Sequence, residues 1–390
     1  MSSSGRQETH VIVAPTGWSE DKLQYRRHHL VRYLVEERGA EVVWVYPLAV
    51  KLGKVLSQPL EVRQCADKLM EVGVPDFKGL VQNLGLLQQK VLEGFADLPV
   101  LGAERYLWFT CSVFGELSRF KWKGVYYDCS DWWSEAGDRR FIKGLLFRLF
   151  KKPLIEKSEG TVVRAAEAVT ATSSYLQRRL QVRFGVEVVV VENGVDYELF
   201  QREVTIGKPA WSGQGEATLG FVGGMKSWKI DFALLAEIAE ARPQWNLVLI
   251  GPYYGGQSGQ FAGLVALDNV HWVELVQPRE LPGYLNLFDL GLLPYLENSY
   301  NRGVFPLKLY EYLACGLPVV GCGLPSTEGR VEEGLYVHTV GRVEAVTAAC
   351  EEALKWEGYL EQRKAAAKRE DWQEKFKALP FVVRGGGDGG

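Results

Sequence analysis

The segment PLKLYEYLACGLPVVGC, Pro306–Cys322, carries a helix signal that runs directly into a strand signal. Proline suits the first turn of a helix, and Leu309 and Leu313 recur at i, i+4 as they would on one helical face. Gly316 is placed to end the helix, and the VVG that follows is typical of a short strand buried on both faces. This order predicts an α/β fold for this part of the chain.

Two charged side chains stand at the start of that predicted helix. Lys308 and Glu311 are three residues apart and therefore share a face. The first turn carries N–H groups that favour an anion, so a lysine there suits a phosphate, and a carboxylate one turn on suits a sugar diol. The alternative interpretation is a surface i, i+3 ion pair, worth about 0.3 kcal/mol.

The same alternation of helix and strand extends through the whole chain. Near-continuous apolar runs such as HVIVAP, EVVWVYP, TLGFVGG and NLVLIGP alternate with helical patterns, which predicts parallel sheets covered on both faces. A stretch rich in Gly, Pro and Ser, Ile206–Gly215, predicts a linker. We therefore expect two Rossmann-like domains facing a cleft, at 1–205 and 206–360, a C-terminal helix at 361–380 that crosses back, and a flexible tail at 381–390.

Composition narrows the functional class. The formal net charge is −3, so no basic field favours nucleic acid. The six cysteines form no CxxC and no histidine cluster accompanies them, so we expect no metal site and reduced thiols in a cytoplasmic protein. The start MSSSGRQETH lacks the apolar core of a signal peptide. No P-loop occurs, and no G-x-G-x-x-G follows a predicted strand. The segment FVGGMK, at Gly223 and Gly224, fits either a phosphate-binding loop or an ordinary turn.

Several segments together resemble the GT-B glycosyltransferases close to family 4. VVVVENGVDYELF (Val188–Phe200), NVHWVELVQPRELPGYLNLFDLGLLPY (Asn269–Tyr295) and the segment quoted first fall in the family's order. The stretch GWSEDKLQYRRHHLVRYL (Gly17–Leu34) resembles the first loop and helix of the teichuronic acid biosynthesis glycosyltransferases. The resemblance implies that Glu311 binds the ribose of a nucleotide sugar. It also implies that the loop before it cradles the diphosphate, through Phe305, Pro306, Leu307 and Lys308.

Two positions depart from the family pattern E-x7-E and its loop arginine. Gly303 occupies the place of the first glutamate, which leaves the contacts to the transferred sugar unassigned. Gly224 occupies the place of the arginine, and Lys226 or Lys229 would supply the missing positive charge. Both lysines are equally consistent with solvated surface residues.

The acceptor side is expected in the N-terminal half. Asp131, in the segment DCSDWWSE, is a candidate general base, with a helix N-cap as the alternative. The histidines of the first helix are further catalytic candidates, although at least one of them should face solvent because adjacent helical residues point in different directions. The candidate catalytic residues are Asp131, His28 and His29, and the candidate acceptor-binding residues are Arg26, Arg27 and Trp132.

A basic amphipathic segment, RRFIKGLLFRLFKKP, begins at Arg139. On a helical projection its apolar side chains lie opposite its arginines and lysines, and residues 139–152 include no acid. Such a helix is typical of a membrane-surface element, and an ordinary core-facing helix is the alternative. The predicted partners are a nucleotide sugar, a glycan or lipid-linked acceptor, and an anionic membrane surface at 139–152.

These observations predict a metal-independent glycosyltransferase of cell-surface polysaccharide synthesis, located on the inner face of the membrane, with no cofactor besides its donor substrate. A catalytically inactive sugar-binding protein of the same fold is one alternative, favoured by Gly303. A nucleotide-sugar epimerase is the other, and the basic segment speaks against it.

Overall fold

The structure is a computed structural model that describes residues 8–20, 23–99, 101–102, 104–136, 144, 147–255 and 258–379. The chain divides into two compact units. The first comprises Met1–Val191 with Phe376–Gly390, and the second comprises Glu192–Lys375. This division differs from the predicted boundary at 205/206, because the linker predicted at 206–215 lies within the second unit.

The first unit contains an eight-stranded sheet of order β3-β4-β2-β1-β5-β6-β7-β8. Every neighbouring pair is parallel except the antiparallel β3–β4 hairpin. Its elements are β1 Glu8–Val13, α1 Arg26–Glu36, β2 Glu41–Ala49, β3 Glu61–Ala66, β4 Leu69–Asp76, α2 Gly85–Val91, β5 Glu104–Phe109, β6 Gly124–Cys129, α3 Lys152–Ala165, β7 Ala168–Ala171, α4 Ser174–Phe184 and β8 Val189–Val190.

The hairpin is an element that the sequence patterns did not predict. All but one of the residues of β3 are exposed, so this edge strand shows no apolar alternation to mark it. The central strands are the reverse: Val11, Ile12 and Val13 of β1 are fully buried, as expected for a parallel strand covered on both faces.

The second unit contains a six-stranded, fully parallel sheet of order β11-β10-β9-β12-β13-β14. Its elements are α5 Tyr197–Phe200, β9 Ala217–Val222, α6 Phe232–Ala241, β10 Trp245–Ile250, α7 Ser258–Val265, β11 Val270–Val273, α8 Leu281–Leu285, β12 Leu290–Pro294, α9 Lys308–Ala314, β13 Val319–Cys322, β14 Tyr336–Thr339, α10 Val343–Ala353 and α11 Leu360–Arg369. The last helix, α12 Trp372–Lys377, begins in the second unit and ends in the first. The predicted helix-then-strand unit is therefore α9–β13. It begins at Lys308, two residues later than Pro306, and Gly316 follows it with φ +81°.

Strand order decides where each unit can hold a ligand. In an open parallel sheet there is a point at which the strand order reverses. The loops that follow the two strands at this point turn to opposite sides of the sheet, and a crevice forms between them at the carboxyl ends of the strands. In the first unit this switch point lies between β1 and β5, and in the second it lies between β9 and β12.

Candidate nucleotide-sugar and acceptor sites

Two loops of the second unit meet at the switch point of its sheet. The loop after β9 carries Lys226 and Lys229, and the loop after β12 leads to α9. The Leu296 amide donates to the Lys229 carbonyl at 3.0 Å, and the side-chain amide of Asn301 donates to the same carbonyl at 2.9 Å. Asn298 donates to the Trp228 carbonyl at 2.9 Å. These bonds hold both loops in one fixed arrangement.

The predicted glycine pair lies in a crowded part of this arrangement. A Cβ on Gly224 would stand 2.8 Å from Cε2 of Tyr254, so the aromatic ring can approach the loop only because glycine is present. A Cβ on Gly251 would stand 2.0 Å from the carbonyl oxygen of Gly223, and the φ of Gly251 is +136°. Gly224 and Gly251 thus allow the loops after β9 and β10 to pack closely.

Lys226 and Lys229 both lie beside aromatic rings. The Lys226 ammonium is 4.9 Å from the ring centre of Tyr254, and the Lys229 ammonium is 5.4 Å from Tyr300 and 5.6 Å from Tyr295. Both lysines are half-buried. Aromatic faces help to hold each ammonium in place, which suits the recognition of an anionic group.

Lys308 and Glu311 pair with each other at the start of α9. This is the i, i+3 geometry of the simpler interpretation, but the pair is not a surface pair. The Lys308 and Glu311 side chains are only 18 % and 11 % exposed. Phe305 and Pro306 just before them are buried, whereas Leu307 is half-buried. The helix has seven residues, so we attribute positive charge here to Lys308 rather than to the helix dipole.

In the first unit Arg26 is engaged inside the protein. Its guanidinium donates to both carboxylate oxygens of Asp128, at 2.7 and 3.1 Å, and Thr170 donates to the same carboxylate at 2.6 Å. Arg26 is 3 % exposed and also lies over the ring of Phe376. A buried carboxylate needs a cation beside it, and Arg26 supplies that cation to Asp128. The side chain predicted to bind the acceptor is therefore buried and already engaged inside the protein.

His28 is also committed to the fold. The amide of Tyr25 donates to its Nδ1 at 3.1 Å, and the ring packs between Trp18 and Trp44 with centroid distances of 4.9 and 5.2 Å. A neutral imidazole has one basic nitrogen, and here a backbone N–H occupies it. His28 in this arrangement does not offer the lone pair that a general base requires, whereas His29 is half-buried.

Asp131 lies in the loop after β6. The Ser130 hydroxyl donates to its carboxylate at 3.2 Å, and the residue is half-buried. The following short 3₁₀ helix, Trp133–Glu135, has Trp132 at its N-cap position and no side chain that caps it, so the helix-cap interpretation of Asp131 is wrong. Trp132 is half-buried and packs on Arg179, whose guanidinium carbon is 4.9 Å from the ring centre. Arg27 is buried and stacks on Tyr25 at 4.5 Å.

Comparison with known proteins supplies the family. Residues 216–355 match the family described as Glycosyl transferases group 1. Over 385 residues the chain is 34 % identical to a protein of Bacillus subtilis (strain 168) named as the teichuronic acid biosynthesis glycosyltransferase TuaH, and the match covers 95 % of this chain and 96 % of that protein. The chain belongs to the group 1 glycosyltransferases.

Solved structures agree on the fold of this glycosyltransferase. Sucrose-phosphate synthase of Thermosynechococcus elongatus superposes with a TM-score of 0.70 at 16 % identity, covering 97 % of this chain and 99 % of that one. HepE of Anabaena, solved with UDP and glucose, gives 0.66 at 15 % identity over 96 % and 99 % of the two chains. The lipopolysaccharide glycosyltransferase WaaG gives 0.62 at 15 % identity over 98 % and 100 %. The predicted GT-B class, with two Rossmann-like domains, is confirmed.

Sequence reasoning missed one residue that holds the loop before α9 in place. The side-chain amide of Asn193 donates to the Phe305 carbonyl at 2.7 Å, and Asn193 is 7 % exposed. Its neighbour Glu192 pairs with Arg330. In the sequence, the segment ENGVD around Asn193 indicated only the family. An asparagine directly after an apolar strand could also have been expected to be buried and to form a hydrogen bond with a backbone group.

The cysteines, the possible metal ligands and the helices of the described residues have the following properties. Burial raises the pKa of Cys111 and Cys322 to about 12, so neither thiol ionises near neutral pH. Across the described ranges no three metal-binding side chains lie together. Within the same ranges no helix combines the length and the apolar character needed to cross a bilayer.

The predicted amphipathic segment at 139–152 is described only in part. Residues 139–143 and 145–146 lie outside the described residues. The described part continues as a π-helical turn, Phe147–Lys151, and then α3. Leu149 and Phe150 are 59 % and 64 % exposed, so at these two positions the apolar side chains do not face a core.

Proposed function

We propose that this glycosyltransferase transfers a sugar from a nucleoside diphosphate sugar to a glycan or lipid-linked acceptor in cell-surface polysaccharide synthesis. One observation carries the donor assignment: the loops joined at the switch point of the second sheet present Lys226 and Lys229, and the second of these loops leads to Lys308. Ammonium groups positioned in advance stabilise the charge that develops on a leaving diphosphate. The name of the Bacillus subtilis relative supports the polysaccharide assignment, and the UDP complex of HepE supports a nucleotide sugar.

On the donor side we assign Glu311 to the ribose. Its carboxylate is nine-tenths buried, and its ion-pair partner Lys308 would turn to the diphosphate when the nucleotide binds. Gly223, Gly224 and the backbone of Phe305–Lys308 would line the diphosphate. The mechanism proposed here uses lysines in place of a metal ion.

On the acceptor side we assign proton abstraction to Asp131, which lies at the carboxyl end of β6 and accepts a hydrogen bond from Ser130. His29 is the second candidate for the base. Trp132 would contact the acceptor through the part of its ring that Arg179 does not cover. Arg27 is buried, so its acceptor contact stays a prediction from the sequence alone. The protein would act in the cytoplasm, bound peripherally to the inner face of the membrane through residues 139–152.

Turnover measured over a panel of UDP-, GDP- and TDP-sugars, with release of the free nucleoside diphosphate as the signal, tests this function. We expect one donor to be consumed, and faster when an acceptor extract is added. Binding of nucleotide without any turnover would favour the inactive sugar-binding alternative that Gly303 suggests. Conversion of the sugar without release of nucleotide would identify an epimerase.

A further inference from the structure

We infer that the turn Lys51–Leu56 is a second membrane-contacting element, which acts beside Leu149 and Phe150 on one anionic lipid surface. The inference deepens the proposed function by defining the partner of the first unit, and it rests on that function only for the reason why a membrane is needed. The turn follows β2 and contains a single 3₁₀ turn, Leu52–Lys54.

The turn is anchored from one side and apolar on the other. Val55 is 4 % exposed and belongs to the core of the first unit. Leu52 and Leu56 on either side of it are 59 % and 60 % exposed. A loop that buries its central valine while directing two leucines into solvent leaves apolar surface for a further contact.

The surroundings of the turn are cationic. Residues 50–60, 77–92 and 147–155 contain no aspartate or glutamate. Within these three segments the side chains of Lys51, Lys54, Lys78, Arg148 and Lys151 are exposed. Leucine and phenylalanine surrounded by lysine and arginine match the interface of an anionic bilayer, where apolar side chains enter the acyl boundary and cations remain at the headgroups.

The two apolar elements lie side by side. The Val50 amide donates to the Asp76 carbonyl at 2.9 Å, which places the start of the turn at the end of β4. Two residues further on, the Lys78 carbonyl accepts a hydrogen bond from the Lys151 ammonium at 3.3 Å. The loops after β2 and β4 and the turn Phe147–Lys151 therefore occupy neighbouring positions at the carboxyl end of the first sheet, the end at which acceptor residues are expected.

Charge decides among the possible occupants of this surface. A second copy of the chain would bring the same cations against each other, which opposes self-association at this face. An acidic protein would satisfy the cations but gives no reason for exposed leucines on two separate turns. An anionic lipid surface satisfies both features at once.

Co-sedimentation of the full chain with vesicles tests the inference. Vesicles of phosphatidylcholine alone are compared with vesicles of equal parts phosphatidylcholine and phosphatidylglycerol. The variant Lys51→Gln/Lys54→Gln should bind the anionic vesicles roughly thirtyfold more weakly, since each interfacial lysine contributes about 1 kcal/mol. Leu52→Ser/Leu56→Ser should lose about tenfold or more, and Leu149→Ser/Phe150→Ser a similar factor.

Val182→Ser provides the matched control, because Val182 is 83 % exposed on α4 of the same unit and its loss should leave vesicle binding unchanged. Wild-type binding by the Leu52→Ser/Leu56→Ser variant would overturn the inference, and so would equal binding of the wild type to both kinds of vesicle. A variant that keeps vesicle binding but changes from dimer to monomer on gel filtration would identify a self-interface instead. Release of nucleoside diphosphate in the absence of vesicles reports separately on the proposed function and should be the same in all these variants.

Discussion

The two units use charge in opposite ways at the carboxyl ends of their sheets. In the first unit, Arg26 and Asp128 are buried together, and Arg179 and Glu159 are paired in the same interior. In the second unit, Lys226 and Lys229 are half-buried beside aromatic rings. Burial of a charge is tolerated only when a partner of opposite sign accompanies it, so the first set holds the fold together. The second set is only half-buried, so part of each lysine side chain remains exposed to solvent.

This contrast shows that the residue type alone does not reveal function. Arg26 and Lys226 both follow a strand of a parallel sheet near a switch point, yet only Lys226 has the partial exposure that ligand binding needs. The predictions below test the contrast in order of decreasing effect.

The largest effect is expected at Asp131, the one carboxylate of the first unit that we assign to chemistry. Asp131→Asn should lower turnover by about 10²–10⁴-fold while donor affinity hardly changes, because proton abstraction contributes about that factor. Steady-state rates with the identified donor measure the effect, and NMR of the product gives its anomeric configuration. Full activity with unchanged thermal stability would transfer the base assignment to His29.

Arg26→Met tests whether the buried cation of the first unit is structural. It should lower the free energy of unfolding by about 3–5 kcal/mol, because Asp128 would remain buried without a cation. Arg38 offers a matched control: its pair with Glu8 is 28 % and 24 % exposed, so Arg38→Met should cost less than about 1 kcal/mol. Urea unfolding measures both. Similar losses of unfolding free energy in the two variants would contradict the structural role that we assign to the buried Arg26–Asp128 pair.

Glu311→Ala tests the donor side. We expect nucleoside diphosphate binding to weaken by about 1–3 kcal/mol, the range for a hydrogen bond to a charged group. The exposed i, i+3 pair Lys355–Glu352 at the C-terminal end of α10 supplies the control, and Glu352→Ala should leave affinity unchanged. Titration calorimetry with UDP, GDP and TDP measures the change. Unaltered affinities in Glu311→Ala would leave Lys308 and Glu311 as a purely structural pair.

Asn193→Ala tests whether the donor loop must be held in place. Loss of the bond to the Phe305 carbonyl should raise the donor KM by about tenfold, since one buried hydrogen bond contributes about 1 kcal/mol and leaves a carbonyl unpaired when it is lost. Asn269, which donates to three backbone carbonyls elsewhere in the unit, is the control. Asn269→Ala should lower thermal stability without raising the donor KM. If the donor KM rises in both variants in proportion to their loss of thermal stability, Asn193 has no special role in holding the donor loop.

The smallest effect concerns pH. Burial lowers the pKa of His10 below its ordinary value of 6.5, so the folded protein resists a proton that the unfolded chain accepts. The free energy of unfolding should therefore fall as the pH drops below about 6.5, by at most about 1.4 kcal/mol per pH unit. His10→Gln should reduce this slope in urea titrations between about pH 7 and pH 5. An unchanged slope would assign the effect to His271 and His338 of the second unit, whose pKa values burial also lowers.

Sequence patterns were most informative where the determinants are local. Residues within one or two turns of each other predict the α9–β13 unit and the parallel strands of both sheets. The same local spacing predicts that Lys308 and Glu311 share one face of a helix. The β3–β4 hairpin was not predicted because its outer strand is exposed at all but one position and shows no apolar alternation. The sequence correctly placed Asp131 after a strand, but the structure was needed to reject the helix cap, because the following 3₁₀ helix has Trp132 as its N-cap residue.

The sequence by itself therefore determined the α/β class, the family and the loops that carry the candidate residues, since periodicity and short motifs are properties of neighbouring residues. The tertiary structure decided which of those residues are engaged within the protein. Arg26 meets Asp128 across 102 positions of the chain, and Asn193 reaches Phe305 across 112. Such contacts depend on the order in which strands join a sheet, and that order is set by the packing of the whole unit rather than by any local stretch of it.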